Sequence, residues 1–195
     1  MVEKNKDYPT LLFLVVGPSQ CGKTALISKI REKDFNDPPV LTEGEERANL
    51  KLKGLRYTIK LSAYSGENHF FQIVFNEANK YDAFIMMYDI TNDNSLKYLE
   101  DKLQTIKRNI TDNKEPTFLM IGNKTDLENK RVVSIEDALR FCENNSINHI
   151  GQISVKNSSK MELENMMRAM IELIPKPKQV KKTVGKDIDN YYKFC

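Results

Sequence analysis

The sequence has too few cysteines and histidines for a disulfide framework or a zinc site. Only three cysteines (Cys21, Cys142 and Cys195) and two histidines occur in 195 residues, and no two cysteines have CxxC spacing. No window approaches the roughly 18 uncharged apolar residues of a membrane-spanning helix. The N-terminus, MVEKNKDYPT, also lacks the apolar segment of a secretory signal. These absences predict a cytoplasmic protein that folds without disulfides.

The composition is that of one globular domain, but its charge is unevenly distributed. Hydrophobic residues make up 40% and charged residues 29% of the chain, with a formal charge of +3. Residues 175–195 contain six lysines and two aspartates, so this tail carries +4 and residues 1–174 carry −1. We therefore predict a folded domain over 1–174 that does not bind nucleic acid, followed by a basic tail. The tail is either a flexible arm attracted to anionic lipid or a solubilising segment.

Apolar runs and helical spacing alternate along the chain, which is typical of an α/β fold. Continuous apolar runs predict buried strands at 11–16, 83–89, 117–123 and 147–154. Two alternating segments, 48–53 and 57–63, predict a hairpin. Helical patterns occupy 25–30, 95–110, 134–145 and 160–173, with a weaker one at 68–80. This order predicts a mostly parallel, doubly wound sheet.

A glycine-rich motif follows the first predicted strand and precedes the first predicted helix. It reads Gly17-Pro18-Ser19-Gln20-Cys21-Gly22-Lys23-Thr24 and matches GxxxxGK[ST]. In such a loop, backbone N–H groups surround phosphate oxygens at a helix N-terminus. We expect the nucleotide contacts to come from Ser19, Gln20, Cys21, Gly22, Lys23 and Thr24. Lys23 would neutralise the β- and γ-phosphates, and the Thr24 hydroxyl would bind Mg²⁺. The strand and helix on either side disfavour the alternative, a chance turn with a surface lysine.

Cys21 lies inside this loop, close to the helix N-terminus. Such a position can make a thiol more acidic. A small side chain that merely fits the loop is nevertheless the favoured interpretation over a redox role.

A second motif, Asn123-Lys124-Thr125-Asp126, follows the predicted strand 117–123 and identifies the base. The Asp126 carboxylate can accept paired hydrogen bonds from guanine N1–H and the exocyclic amine, which adenine cannot offer. Asn123 and Lys124 would complete the base site at the carboxyl edge of the sheet. Ser154-Val155-Lys156, at the end of the last strand, could place a backbone N–H on the guanine oxygen. A polar turn is the alternative for the NKTD motif taken alone, and Ser154-Val155-Lys156 is weak evidence by itself.

With these motifs, the chain resembles a small GTPase of the Ras superfamily, of the Rab or Ras type, over about residues 10–174. YDAFIMMYDITNDNSLKYL and SVKNSSKMELENMMRAMIELI carry the rest of the resemblance. It implies a P-loop NTPase G domain, a six-stranded sheet with five helices, and GTP or GDP with Mg²⁺ as ligands. It also implies that Thr42, 18 residues after Thr24, contacts Mg²⁺ and the γ-phosphate. A solvated loop threonine is the alternative.

The second switch departs from the family pattern Asp-x-x-Gly-Gln. Here the sequence is Ala63-Tyr64-Ser65-Gly66-Glu67. Gly66 retains the backbone N–H for the γ-phosphate, but Ala63 removes a carboxylate that organises Mg²⁺. Glu67 stands at the catalytic position, where a carboxylate can accept a proton but cannot donate to the γ-phosphate. We therefore expect slow hydrolysis, with Glu67 and Lys23 as the catalytic residues.

The sequence ends on a single cysteine, Cys195, and Tyr192 stands where the CaaX motif has its cysteine. Rab proteins usually have paired cysteines. A prenylated Cys195 beside the lysines would supply two membrane-binding signals, whereas an exposed unmodified thiol would leave the tail soluble.

We therefore predict a GTP-binding switch in membrane traffic or signalling. Its partners would be effectors that contact residues 35–48 and 64–80, an exchange factor and a GTPase-activating protein. The alternative is a scaffold that holds GTP without cycling. A P-loop kinase or ATPase is disfavoured by the NKTD motif.

Overall fold

A computed structural model of the protein describes residues 8–31, 45–52, 57–64, 77–111 and 115–175. These ranges contain six strands: β1 (Thr10–Val16), β2 (Glu45–Leu50), β3 (Thr58–Tyr64), β4 (Ala83–Asp89), β5 (Thr117–Asn123) and β6 (Asn148–Gln152). They also contain four α-helices: α1 (Lys23–Arg31), α2 (Asn94–Asn109), α3 (Ile135–Asn145) and α4 (Lys160–Glu172). Two 3-10 helices span Ala78–Lys80 and Thr125–Lys130.

The six strands form one sheet in the order β2-β3-β1-β4-β5-β6. Strand β2 runs antiparallel to β3, with Ala48 opposite Leu61, and every other neighbouring pair is parallel. The predicted mostly parallel sheet and the hairpin are confirmed. Most of the weakly predicted helix at 68–80 lies outside the described residues, which begin again just before the 3-10 helix Ala78–Lys80.

The order of the strands determines where a ligand can bind. Strand β1 lies between β3 and β4 in the sheet. After β1, the chain forms β2 and β3 on one side of it and then β4 on the other side. In open α/β sheets, ligands bind beyond the carboxyl end of the strand where this reversal occurs. Here that position follows Val16, where the glycine-rich loop begins.

Two apolar layers cover the two faces of the sheet. Along β1, Phe13 and Val15 belong to one core cluster, and Leu14 and Val16 belong to the other. The first cluster includes residues of α1 and α4, and the second includes residues of α2 and α3. All seven residues of β4 are buried, as expected for a strand covered on both faces. Five methionines contribute to these two layers and are buried: Met86, Met87, Met166, Met167 and Met170.

Serine caps fix where the last two helices begin. The Ser134 hydroxyl accepts a hydrogen bond from the Asp137 N–H at the start of α3. At α4, Ser159 and Glu162 form a capping box, in which each side chain bonds the other residue's backbone N–H. This cap anchors the far end of the loop that leaves β6. None of the helices in the described ranges combines the length and apolarity needed to cross a bilayer.

Candidate nucleotide-binding site

The two motif glycines allow the loop after β1 to fold tightly against its neighbours. A Cβ atom on Gly17 would lie 2.3 Å from the Met87 carbonyl oxygen and 2.6 Å from the Cys21 Sγ. Gly22 has a φ of 108°, and a Cβ there would lie 2.2 Å from the Asn123 Nδ2. Any side chain at either position would therefore push the loop away from β4 or from Asn123.

The Lys23 side chain folds back over this loop and is only 7% exposed. Its ammonium donates hydrogen bonds to the Gly17 carbonyl at 2.9 Å and to the Pro18 carbonyl at 2.8 Å. The lysine is therefore part of the loop, which argues against the alternative of a surface lysine beside a chance turn. Its positive charge lies at the N-terminus of α1, where backbone N–H groups and the helix dipole favour an anion.

Three other loop residues, Ser19, Gln20 and Thr24, are exposed. Thr24 therefore has an accessible hydroxyl in the first turn of α1. Gln20 has a φ of 62°, a left-handed conformation that costs free energy for most residues but not for glycine. A glycine at position 20 would adopt this conformation with less strain than the glutamine does.

Cys21 is completely buried, and its Sγ packs towards Gly17. Burial raises the pKa of the thiol, and the opposing effect of Lys23 is smaller. The acidic thiol considered from the sequence is thus wrong, because the side chain points into the core. The structure instead supports a small side chain that fits the loop.

Asn123, which is 4% exposed, joins the loops that follow three strands. Its Nδ2 donates to the Cys21 carbonyl at 2.8 Å, and its Oδ1 accepts from the Val155 N–H at 2.9 Å. The first bond reaches the phosphate loop, and the second reaches the loop after β6. The sequence motifs at 17–24, 123–126 and 154–156 therefore meet at one amide.

Asp126 lies on the surface, one residue into the 3-10 helix, with its carboxylate held by Ser154. The Ser154 hydroxyl donates to the Asp126 Oδ1 at 2.6 Å. This hydrogen bond lowers the pKa of the Asp126 carboxyl, with smaller contributions from Lys156 and Lys124. The carboxylate is therefore ionised at neutral pH and can accept hydrogen bonds from a base.

Lys124 forms an ion pair that the sequence analysis did not predict. It has a left-handed φ of 72°, and its ammonium lies 2.5 Å from the Oδ2 of buried Asp89. The other carboxylate oxygen of Asp89 accepts hydrogen bonds from the N–H and the hydroxyl of Thr91. The signal that could have revealed this contact is an aspartate that ends an otherwise apolar strand.

A network of polar side chains, which the sequence analysis also did not predict, contacts the 3-10 helix that carries Asp126. Arg131 bonds both carboxylate oxygens of Glu128, at 2.6 and 2.7 Å, and donates to the Gln152 Oε1 at 2.8 Å. Gln152 in turn donates to the hydroxyl of buried Tyr88 at 2.6 Å. Gly122 leaves room for this contact, since a Cβ there would lie 2.7 Å from that hydroxyl oxygen.

Part of the predicted site lies outside the described residues, namely Thr42, Gly66 and Glu67. Ala63 is described: it is 3% exposed, belongs to the core and pairs with Val15 of β1. Over the described ranges, no three histidine, cysteine or carboxylate side chains cluster as a metal site would require.

The chain is similar in sequence to known proteins. The Ras family model matches residues 12–176. The chain is 29% identical to Ras-related protein RabS of Dictyostelium discoideum, covering 96% of this chain and 95% of that protein. It is 32% identical to Ras-related protein Rab-1 of Theileria parva, over 80% of this chain and 72% of that protein. It is 28% identical to Ras-related protein Rab-13 of Canis lupus familiaris, over 76% of this chain and 73% of that protein. With a family match over most of its length, the chain belongs to the Ras family of small GTPases.

Proposed function

We propose that the protein is a GTP-binding molecular switch with slow intrinsic hydrolysis, acting in membrane traffic. The observation that carries this proposal is the bridge through Asn123 between the phosphate loop and the loop after β6. A ligand that fills both loops must have phosphates at one end and a hydrogen-bonding group at the other. A guanine nucleotide meets that requirement, and the Rab names of the relatives support the role in traffic.

At the phosphate end, the residues that would hold the nucleotide are already ordered around the loop. The buried ammonium of Lys23 and the N–H groups at the start of α1 would bind the phosphate oxygens. Mg²⁺, when bound, supplies positive charge to the β- and γ-phosphate oxygens. Thr24 would hold it through its exposed hydroxyl, and Thr42 is proposed as the second protein ligand.

At the base end, Asp126 would accept hydrogen bonds from guanine N1–H and the exocyclic amine. Ser154 restrains one carboxylate oxygen and keeps the group ionised. A backbone N–H of the segment 154–156 would bind the guanine oxygen. Adenine lacks the donor pair that Asp126 requires.

We further propose that the second switch limits hydrolysis. Ala63 carries a methyl group in the core and so offers Mg²⁺ no carboxylate. Glu67 would bring negative charge towards an anionic phosphate instead of orienting water as a glutamine does. Both substitutions favour a long-lived GTP-bound state.

Identifying the nucleotide that copurifies with the protein tests the proposal. Purified protein is denatured, and the released nucleotide is separated by anion-exchange chromatography. Bound GTP supports slow hydrolysis and bound GDP supports turnover. Absence of guanine nucleotide, together with no binding of added GTP, would contradict the proposal.

Restoring the family residues with Ala63→Asp and Glu67→Gln is expected to raise single-turnover hydrolysis by about tenfold or more and to increase its Mg²⁺ dependence. A carboxylate that organises the metal and an amide that orients water both lower the barrier. The rate is measured as phosphate release from preloaded GTP.

The single Glu67→Gln variant is the control, because Ala63→Asp buries a charge in the core. Thermal unfolding shows whether the double variant folds. An unchanged rate in a folded double variant would mean that hydrolysis is limited elsewhere.

The rival function is a scaffold that holds GTP and never cycles. The burial of Ala63 in the core, with no ligand atom, is the observation that favours it. In that case GTP would persist unchanged for hours, and effectors would bind the residues at 35–48 and 64–80 without regulation. For a cycling switch, an exchange factor and a GTPase-activating protein would be required.

We also propose that residues 175–195 attach the switch to membranes through Cys195. The six lysines of this tail would be attracted to an anionic surface, each contributing about 1 kcal/mol. A lipid on Cys195 would provide the second signal that stable attachment requires.

Replacing Cys195 by serine is expected to shift most of the protein from the membrane fraction to the soluble fraction in cells with a prenylation machinery. The serine keeps the size and polarity of the residue but cannot form the thioether. Equal recovery of both proteins in membranes would contradict lipid attachment, and the lysines would then be a solubilising arm.

A further inference from the structure

Lys29 contacts the base-binding segment although it lies outside every motif in the sequence. It is in α1, six residues after Lys23. Its ammonium donates to the Val155 carbonyl at 2.7 Å and to the Lys156 carbonyl at 2.8 Å. One charged group thus holds two consecutive carbonyls of the loop after β6.

These two bonds fix the direction of the loop's backbone donors. In a trans peptide, the carbonyl and the following N–H lie in one plane and point in opposite directions. The bond to the Val155 carbonyl therefore orients the Lys156 N–H away from Lys29. The bond to the Lys156 carbonyl likewise orients the Asn157 N–H, which donates back to the Ser154 carbonyl at 3.1 Å.

The contacts of the loop with Asn123, Asp126 and α4 do not set the plane of the Val155–Lys156 peptide, whereas the Asn157 N–H bond to Ser154 helps to set the next one. Asn123 holds the Val155 N–H, which belongs to the preceding peptide. Ser154 reaches Asp126 through its side chain. Glu162, at the far end, caps α4: its hydrogen bonds with the Ser159 N–H and hydroxyl lower the pKa of the carboxyl, and Lys29 makes a smaller contribution. Lys29 supplies the restraint in the middle of the loop.

We propose that Lys29 is a positioning residue for guanine recognition. By holding the Val155 carbonyl, it aims the Lys156 N–H at the guanine oxygen, and its bond to the Lys156 carbonyl supports the turn that the Asn157 N–H closes onto Ser154. Because α1 also begins at the phosphate loop, the lysine connects the helix under the phosphates to the loop around the base. The inference rests on the proposed binding of guanine nucleotides.

The test compares GTP with the triphosphate of 2-aminopurine riboside, which keeps the exocyclic amine but lacks both the O6 atom and the N1–H. Each nucleotide's affinity is therefore compared between the wild type and the variant. Lys29→Met is expected to weaken GTP binding about tenfold, the typical effect of one misplaced hydrogen bond. Binding of the 2-aminopurine nucleotide should change less than about twofold. Lys29→Arg, which can donate to both carbonyls, should restore most of the preference.

Arg31→Met is the matched control. Arg31 lies on the same helix and also donates to a carbonyl, that of Arg47 in β2 at 2.8 Å. Its removal should leave the ratio of the two affinities unchanged. Lys29→Gln, which keeps one donor group, serves as the second variant if Lys29→Met does not fold.

A general loss of stability would weaken both nucleotides equally, whereas misdirected donors weaken only GTP. An unchanged affinity ratio in a folded Lys29 variant would overturn the positioning role, even with a lower melting temperature. Failure of the wild-type protein to prefer GTP over ATP would instead overturn the proposed function, and the inference with it.

Discussion

Replacing Asp126 by alanine is expected to lower the affinity for GTP by more than about 100-fold. The variant loses two hydrogen bonds to a charged acceptor, each contributing roughly 1.5–3 kcal/mol. The loop should otherwise remain in place, since the Asp126 side chain is exposed and its hydrogen bond from the Ser154 hydroxyl also lies on the surface. Competition against a fluorescent GTP analogue measures the effect.

Ser154→Ala is the control, because it keeps the carboxylate and removes its hydrogen-bond donor. Without that donor, the pKa of Asp126 rises towards its ordinary value. Since GTP requires the ionised carboxylate, its affinity in this variant should begin to fall at a higher pH than in the wild type. If ATP displaces the analogue from wild-type protein as well as GTP does, Asp126 is not the base-specific residue.

Gly22→Ala is expected to abolish measurable nucleotide binding and to lower the free energy of unfolding by about 1–3 kcal/mol. The φ of 108° disfavours alanine, and the new methyl group would lie 2.2 Å from the Asn123 Nδ2. Either the loop or the amide must move, which breaks the bond to the Cys21 carbonyl. Isothermal titration with GTP and chemical unfolding measure the two effects.

Gly151→Ala provides a control for backbone strain alone. Gly151 has a φ of 138°, but a Cβ there would meet nothing within 4 Å. Both variants therefore carry a conformational penalty, and only the change at Gly22 disturbs Asn123. Equal GTP affinities in the two variants would show that nucleotide binding does not need the bridge through Asn123.

Strands β1, β4 and β5 could be predicted because they are continuous apolar runs, which burial on both faces requires, and the β2–β3 hairpin because its residues alternate. The last strand is shorter than predicted, Asn148–Gln152 instead of 147–154. Its pairing with β5 shifts between Met120 and Ile121, and Gly151 has a left-handed φ. Sequence alternation cannot show such an irregularity, because it depends on the neighbouring strand.

The site could be predicted only where its contacts come from adjacent residues. The phosphate loop and the NKTD motif place their polar groups within eight and four consecutive positions. The contact of Lys29 with Val155 spans 126 residues, and that of Gln152 with Tyr88 spans 64. Such contacts depend on how the elements pack, and one sequence shows no spacing that reveals them.

The bridge through Asn123 also has a kinetic consequence. If a partner protein draws the phosphate loop outward by about 1 Å, the amide loses the Cys21 carbonyl, because hydrogen bonds weaken steeply beyond their normal length. The freed side chain then no longer restrains the Val155 N–H on the opposite side. If the proposed guanine nucleotide contacts both loops, its release is therefore expected to be cooperative, because a displacement beside the phosphates also weakens the contacts around the base.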